Sequence, residues 1–183
     1  MSRNCDFEIR DGVLEYYTGA GGDVVIPDGV TSISYYAFKN CTSLTSIKIA
    51  ISDGQYFVVD NYNKVERDIV AVTKMLRTGK MDTAVKMPLR LKFQLAVKLI
   101  DLYDNADARA YVKKMLTRGV KTLIDGGNLE LIRMLLGKTD FVTKKNVDKY
   151  IQYAIDQKQQ EIYPTLTHYK DEIGAYTEIS KKF

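Results

Sequence analysis

The spacing of apolar side chains changes near residue 60, and this change restricts the folds that are open to the chain. Before that point, apolar and polar residues alternate in short runs separated by Gly-rich turns, the two-residue period of β-strands. After it, apolar residues recur every three or four positions, which is typical of amphipathic helices. The sequence therefore predicts an α+β chain. A short β-hairpin and a single-repeat sheet occupy residues 1–60 and dock on an all-α helical repeat domain over residues 61–183.

The charge divides at the same place. Residues 1–60 hold four of the 27 basic and eight of the 23 acidic side chains, a net charge of −4, and residues 61–183 hold the rest, a net charge of +8. With 45% hydrophobic and 27% charged residues the composition is that of a folded protein. One His and two Cys cannot supply a four-ligand zinc site or a disulfide framework. We expect neither metal nor cofactor.

The β part carries specific turn and strand signals. Asp11-Gly12 lies between two alternating runs, which predicts a hairpin because both turn positions tolerate positive φ. The segment 23–26 reads as a short strand that ends at Pro27. In the strand at 44–49, Ile47 and Ile49 share one face. Ser46 and Lys48 share the other face.

A family resemblance follows from these residues. Residues 22–33 read GDVVIPDGVTSI, residues 36–38 read YAF, and residues 40–49 read NCTSLTSIKI. Together they resemble the BspA-type bacterial leucine-rich repeat, which recurs about every 23 residues as IPxxVTSIxxxAFxxCxSLTSIxIP. The resemblance covers residues 6–50 and implies a solenoid in which Cys41 is a small buried hydrophobe. The inward residues would be Ile26, Val30, Ile33, Phe38, Cys41, Leu44, Ile47 and Ile49.

The repeat does not continue. Ala50 stands where the family has Pro, and residues 51–59 keep a strand pattern without the motif. The chain therefore contains one repeat and a degenerate second, whereas stable arrays need about three or more units. This difference indicates that another part of the chain must cover the single repeat.

The helical part shows regular periodicity and an internal repeat. Helices are predicted at 64–76, 89–103 and 106–118, the last ending at Gly119, followed by helix pairs at 120–124/129–136 and 147–157/160–169. The two pairs align with each other, Ile124-Asp125 matching Ile155-Asp156 and Leu135 matching Leu166. This arrangement resembles ankyrin-like helix pairs and the helical tails that follow leucine-rich repeats in several gut Firmicutes proteins.

Candidate catalytic groups are few, and each has a simpler interpretation. His168 shares a helical face with Asp171 and Glu172, which predicts a surface ion pair. Asp101, Asp104 and Asp107 lack the Gly and Glu of a calcium loop, which favours a solvated turn. We therefore predict a protein that is not an enzyme. An enzyme would need a pocket lined by His168 or by the three Asp.

Exposed aromatic side chains favour protein binding. Tyrosines are frequent in the β part, and Tyr is enriched at protein interfaces. Alternation implies that some of each adjacent pair faces out, although the tyrosines can equally pack against the helical part. We predict partner-binding residues at Tyr35, Tyr36, Ser46 and Lys48. The family resemblance makes adhesion plausible, since BspA-type repeats occur in surface proteins that contact host molecules.

A basic stretch supports an alternative partner, a nucleic acid. Helical repeats can place such side chains along a phosphate backbone, although the residues can equally be solvated or face the acidic β part. The nucleic-acid candidates are Lys86, Arg90, Lys92, Lys113, Lys114, Arg118 and Lys121. Neither a signal peptide nor a membrane span is apparent, so the cytoplasm is the default compartment. A cell-surface or secreted location stays open for a fragment of a longer protein.

Overall fold

A computed structural model describes residues 6–52, 54–60, 66–138 and 140–174 of the chain. The fold is mixed α+β, which confirms the predicted class. The chain divides into two compact units, Met1–Met87 and Pro88–Phe183, and each is described in turn. This division groups the first helix with the strands, whereas the sequence predicts a boundary near residue 60.

The first unit contains two three-stranded sheets. Its strands are β1 (Phe7–Arg10), β2 (Val13–Tyr17), β3 (Gly22–Ile26), β4 (Ser32–Ile33), β5 (Leu44–Ser52) and β6 (Gln55–Asp60). One sheet has the order β1-β2-β4 and the other the order β3-β5-β6. The β1–β2 hairpin turns at Asp11 and Gly12, which have φ of 49° and 78°. The hairpin predicted from this Asp-Gly pair is therefore confirmed.

Successive passes of the chain pair in parallel. β2 lies parallel to β4, with Leu14 opposite Ile33, and β3 lies parallel to β5, with Val24 opposite Ile47. Just before β3 and β5 begin, the Ser43 hydroxyl donates a hydrogen bond to the carbonyl of Ala20, which joins the two segments that lead into these strands. The eight side chains predicted to point inward, from Ile26 to Ile49, are all buried.

The helix α1 (Glu66–Thr78) packs on β4 within the first unit. Its buried face presents Ile69, Val72 and Leu76. Arg77 adds a hydrogen bond of 3.1 Å from Nε to the carbonyl of Val30, next to β4. The helix α1 thus covers the β2–β4 pair, which is the shorter of the two parallel strand pairs.

The second unit is entirely helical in its described residues. Its helices are α2 (Leu89–Tyr103), α3 (Ala106–Asp125), α4 (Leu129–Lys138), α5 (Val147–Asp156) and α6 (Ile162–Glu172). The bounds of α2 match the prediction, and the helix is buried on all sides from Leu91 to Ile100. Among the helices described, none is long and apolar enough to cross a bilayer.

The predicted helix end at Gly119 is wrong. The helix α3 continues through Gly119 to Asp125 and replaces the separate short helix predicted at 120–124. A Cβ at position 119 would lie 2.1 Å from Cδ2 and from Cε2 of Phe93 on α2. Glycine at this position therefore permits close packing between α2 and α3.

The turns after α3 and α5 have the same backbone conformation. Gly127 and Lys158 both have positive φ, of 63° and 56°. The amide of Asn128 donates to the carbonyl of Leu123, and the amide of Gln159 donates to that of Ala154, both at 2.9 Å. This is the Schellman pattern of helix ends. The internal repeat seen in the sequence is thus also present in the backbone hydrogen bonds.

Candidate functional site

An apolar groove of about 580 Å³ lies beside α1 in the first unit. We call it the α1 groove. Its apolar lining residues are Tyr35, Val70, Ala71, Met75, Met81 and Val85, and its polar ones are Lys74, Thr78, Lys80 and Asp82. Its volume falls within the range of small-molecule and peptide side-chain pockets.

The groove exists because α1 is apolar on two faces. The face that carries Ile69 and Val72 packs on the core, and a second face presents Val70 and Ala71 to the groove. Met75 lines the groove and is itself buried. Its Sδ accepts a hydrogen bond of 3.3 Å from the amide of Asp82. This contact holds the segment after the helix against α1.

The polar residues of the groove carry more positive than negative charge. Lys74 and Lys80 are exposed, and neither forms an ion pair with any side chain that the structure describes. The carboxylate of Asp82 accepts a hydrogen bond of 2.9 Å from the amide of Ala84 through Oδ1. Two ammonium groups therefore remain available at the rim, beside one carboxylate that is bound to the backbone.

The structure places Tyr35 in the groove and Tyr36 next to it. Their side chains are 50% and 58% exposed, and their rings meet edge to face with centroids 4.9 Å apart. The ammonium of Lys39 lies 5.2 Å from the centroid of the Tyr36 ring. Both tyrosines are exposed, and Tyr35 contributes a large amphipathic surface to the groove.

The remaining tyrosines of the β part differ from one another in exposure. Tyr16 and Tyr56 are exposed. Tyr17 packs between the rings of Phe7 and Phe38, with centroids 4.9 Å and 5.4 Å away. Tyr62 lies outside the described residues.

Ser46 and Lys48 lie on the β3-β5-β6 sheet and do not line the groove. Both contact Asp23 of β3, Ser46 through Oγ at 2.8 Å and Lys48 through Nζ at 3.4 Å. Hydrogen bonds from the hydroxyls of Thr45 and Ser46, with the charge of Lys48, lower the pKa of Asp23. Ser46 is only 7% exposed, so its hydroxyl serves the contact with Asp23.

The basic residues predicted as nucleic-acid candidates differ in the unit to which they belong and in their exposure. Lys86 belongs to the first unit and the others to the second. Lys92 is only 7% exposed, with Nζ 5.3 Å from the centroid of Tyr111, and Arg90 is half-buried. The exposed members on α3 are Lys113, Lys114, Arg118 and Lys121.

Two lysines of the second unit interact with residues of the neighbouring helix. Lys121 on α3 lies 4.2 Å from the centroid of the Tyr153 ring on α5. Lys149 on α5 donates to Thr117 Oγ1 at 2.9 Å. Tyr153 donates to Asp125 at 2.7 Å, and this hydrogen bond raises the pKa of Tyr153. The ammonium of Lys121 therefore covers one face of the Tyr153 ring.

His168 lines a cleft of about 440 Å³ between α4 and α6. Its side chain is 78% exposed, with Nε2 3.3 Å from Oε1 of Glu172, which confirms the predicted pairing. The nearest hydroxyl candidates in the cleft are bound elsewhere: Thr165 donates to the carbonyl of Glu161 and Tyr169 to that of Val142. Neither of these two hydroxyls donates to His168, although the cleft is a pocket lined by His168 of the kind that an enzymatic role would require.

The three aspartates of the acidic cluster do not converge on a cation. Asp104 Oδ1 accepts from Arg109 Nε at 2.6 Å, and Asp101 Oδ2 lies 3.8 Å from Lys98 Nζ. In the part of the chain that the structure describes, no group of three or more His, Cys, Asp or Glu is placed to hold a metal ion.

The sequence prediction missed most of the groove. Val70 and Ala71 lie off the main apolar stripe of α1, and Met81 and Val85 lie in a segment without periodicity. The available signal was the run Ile69-Val70-Ala71-Val72, which is apolar over more than one helical face.

Comparison with known proteins gives no further indication of the site. No family model, no curated protein and no solved structure matches the chain. The interpretation of the groove therefore depends on its geometry and chemistry.

Proposed function

We propose that the chain is a non-catalytic protein-interaction module that combines a BspA-type leucine-rich repeat with ankyrin-like helix pairs, and that it binds a partner in the α1 groove. The observation that carries this proposal is the open apolar groove, which has Tyr35 among its lining residues. The parallel pairing of β3 with β5 supports the leucine-rich repeat. The turn conformation shared by the ends of α3 and α5 supports the helix pairs.

The groove has the composition of a contact surface. Apolar grooves of this size favour ligands that bring apolar side chains out of water. Met75 and Met81 provide flexible, polarisable side chains that adapt to a bound group. Tyr35 adds an aromatic side chain with one hydroxyl, the type that often contributes most to binding energy at interfaces.

Selection from a random peptide library displayed on phage tests the proposal. The full chain is the bait, and a variant with Ala71→Arg places a long charged side chain in the groove. The matched control is Ala110→Arg at an exposed position of α3. We expect the selected peptides to bind wild type and Ala110→Arg equally and to bind Ala71→Arg at least about tenfold more weakly. Circular dichroism establishes that both variants are folded.

Two results would contradict the proposal. Either no peptide is enriched on the wild-type chain, or the enriched peptides bind Ala71→Arg as well as they bind wild type. The second result would locate binding elsewhere on the chain.

The alternative function is nucleic-acid binding by the helical repeats. Lys114, Arg118 and Lys121 favour it, since they are exposed on α3 at a spacing of four and three residues, which places three cations on one helical face for contact with phosphates. Retention on heparin and on duplex DNA at low salt tests this alternative. Substitution of Lys114, Arg118 and Lys121 by Gln should then reduce the slope of affinity against salt concentration. Absence of binding at low salt excludes it.

A further inference from the structure

We infer that the α1 groove receives an acidic peptide segment that inserts a large apolar side chain between α1 and residues 80–85. This inference rests on the proposed function, because it specifies the chemistry of the partner at the same groove. Three features of the groove support it: its shape, the charges at its rim and the state of its single carboxylate.

The floor of the groove is apolar and built from both sides. Met75 on α1 and Met81 in the following segment are almost fully buried, while Val70 and Ala71 are only half-buried. A volume of about 580 Å³ exceeds that of any one side chain. An aromatic or branched aliphatic residue with part of its neighbours would fill it and release water from the half-buried residues.

The rim determines the preferred charge of the partner. Lys74 and Lys80 present two exposed ammonium groups without ion-pair partners among the described side chains. The opposing carboxylate, Asp82, already accepts the amide of Ala84. A partner carboxylate would therefore meet two cations and one anion. A partner ammonium would meet the same excess of positive charge and be disfavoured.

A further cation lies close to the aromatic end of the groove. Lys39 is placed over the Tyr36 ring, and that ring contacts the Tyr35 ring that lines the groove. Positive charge thus lies beside Tyr35 as well as along α1. An acidic segment that extends past Tyr35 would gain from this third charge.

Three synthetic peptides provide the test. They share one length and one central Phe-Leu pair, and they differ only in flanking residues, which are Asp and Glu in the first, Asn and Gln in the second, and Lys and Arg in the third. Fluorescence anisotropy of labelled peptides measures their binding to the full chain. We expect the acidic peptide to bind about three- to tenfold more tightly than the neutral one, as two exposed ion pairs would give. The basic peptide should bind most weakly.

Variants separate the groove charges from the general charge of the protein. The double variant Lys74→Glu/Lys80→Glu should reverse the order of the acidic and basic peptides. The control Lys113→Glu/Lys114→Glu, at exposed positions of α3, removes the same net charge and should leave the order unchanged. Raising the salt from about 0.1 M to 1 M should narrow the preference, since the screening length falls from about 10 Å to about 3 Å.

The outcomes distinguish this inference from the proposed function. If all three peptides bind equally and lose affinity in Ala71→Arg, the acidic preference is refuted and the groove stays a binding site. If the preference persists in Lys74→Glu/Lys80→Glu, the charge recognised lies elsewhere and the inference is refuted. If the acidic peptide fails to bind while phage-selected neutral peptides bind in the groove, the inference again fails alone. Failure of the phage selection itself contradicts the proposed function.

Discussion

Two helical glycines give a paired prediction, because the same substitution should change stability in opposite directions. Gly119 lies inside α3 and Gly137 lies near the end of α4. A Cβ at Gly119 would lie 2.1 Å from two ring carbons of Phe93, whereas a Cβ at Gly137 meets no heavy atom within 4 Å. Ala raises helix propensity at both positions, so only the surroundings differ.

The magnitudes follow from these distances. Carbon atoms in contact lie about 3.5–4.0 Å apart, so the Phe93 ring would have to move by more than about 1 Å. Phe93 is fully buried and the Cβ would overlap two of its ring carbons, so the cost lies at the upper end of the range for overpacking, about 3 kcal/mol. After the gain of about 1 kcal/mol in propensity, Gly119→Ala should lower the free energy of unfolding by about 2 kcal/mol. Gly137→Ala should raise it by up to about 1 kcal/mol.

Urea and thermal unfolding, followed by far-ultraviolet circular dichroism, measure both changes. For a chain of this length, about 2 kcal/mol corresponds to a fall in Tm of about 4–8 °C. The double variant Phe93→Ala/Gly119→Ala tests the mechanism, since the new methyl group would enter the space left by the ring. Its loss of stability should be smaller than the sum of the two single losses. Equal or greater stability of Gly119→Ala, or additivity in the double variant, would refute the packing argument.

Three further predictions concern a turn, a carboxylate and a thiol. Lys158→Gly should raise the free energy of unfolding by about 1 kcal/mol, because Lys158 has a left-handed φ of 56° that Gly adopts without strain. The control Gln157→Gly, at a φ of −83°, should lower the free energy of unfolding, and urea unfolding measures both changes. NMR titration should give Asp23 a pKa below its ordinary 3.8. The stability that its hydrogen bonds supply is therefore complete above pH 3.8, and it is lost as the pH falls through the lowered pKa of Asp23 in the folded chain. Thr45→Val should raise that pKa, and an unchanged value would contradict the assigned cause. Burial raises the pKa of the Cys41 thiol, so in a Cys5→Ser chain it should react with Ellman's reagent far more slowly when folded than in urea.

Local signals in the sequence predict most of the secondary structure. Asp11-Gly12 specifies the hairpin because both residues must adopt positive φ. Pro88 marks the start of α2, because it cannot donate the backbone hydrogen bond that a position inside a helix requires. The alternation at Ile47 and Ile49 identifies the buried face of β5. In each case the information lies within a few residues of the feature.

Features that depend on distant residues were not predictable in this way. Gly119 reads as a helix end until Phe93, on the preceding helix, is known to pack against it. Lys98 lies in sequence between the basic candidates Lys92 and Lys113, yet it is 2% exposed, with Nζ 3.6 Å from Oε1 of Glu130 on α4. Its burial follows from the packing of α2 among other helices. Charge patterns in sequence therefore overestimate the exposed positive surface.

The candidate site was predictable only in part for the same reason. Tyr35 is predicted as a partner-binding residue because aromatic residues are frequent at interfaces, and the structure places it, exposed, in the groove. The groove itself depends on residues 80–85 lying against α1, a contact that the hydrogen bond from the Asp82 amide to Met75 helps to fix. The sequence of that segment has neither helical nor strand periodicity. Nothing local indicates where it packs.

The small number of parallel passes can be explained by the segments that flank them. An array of repeats needs neighbours to cover its apolar ends, which is why about three or more units are usual. In this chain β1 pairs antiparallel on the outside of β2, β6 pairs antiparallel on the outside of β5, and α1 packs on β4. Because the antiparallel strand β6 occupies the edge of β5 that faces away from β3, no further parallel strand can pair with β5. The covering helix also forms one wall of the α1 groove. The helix that covers β4 is therefore also the one that forms the proposed binding surface.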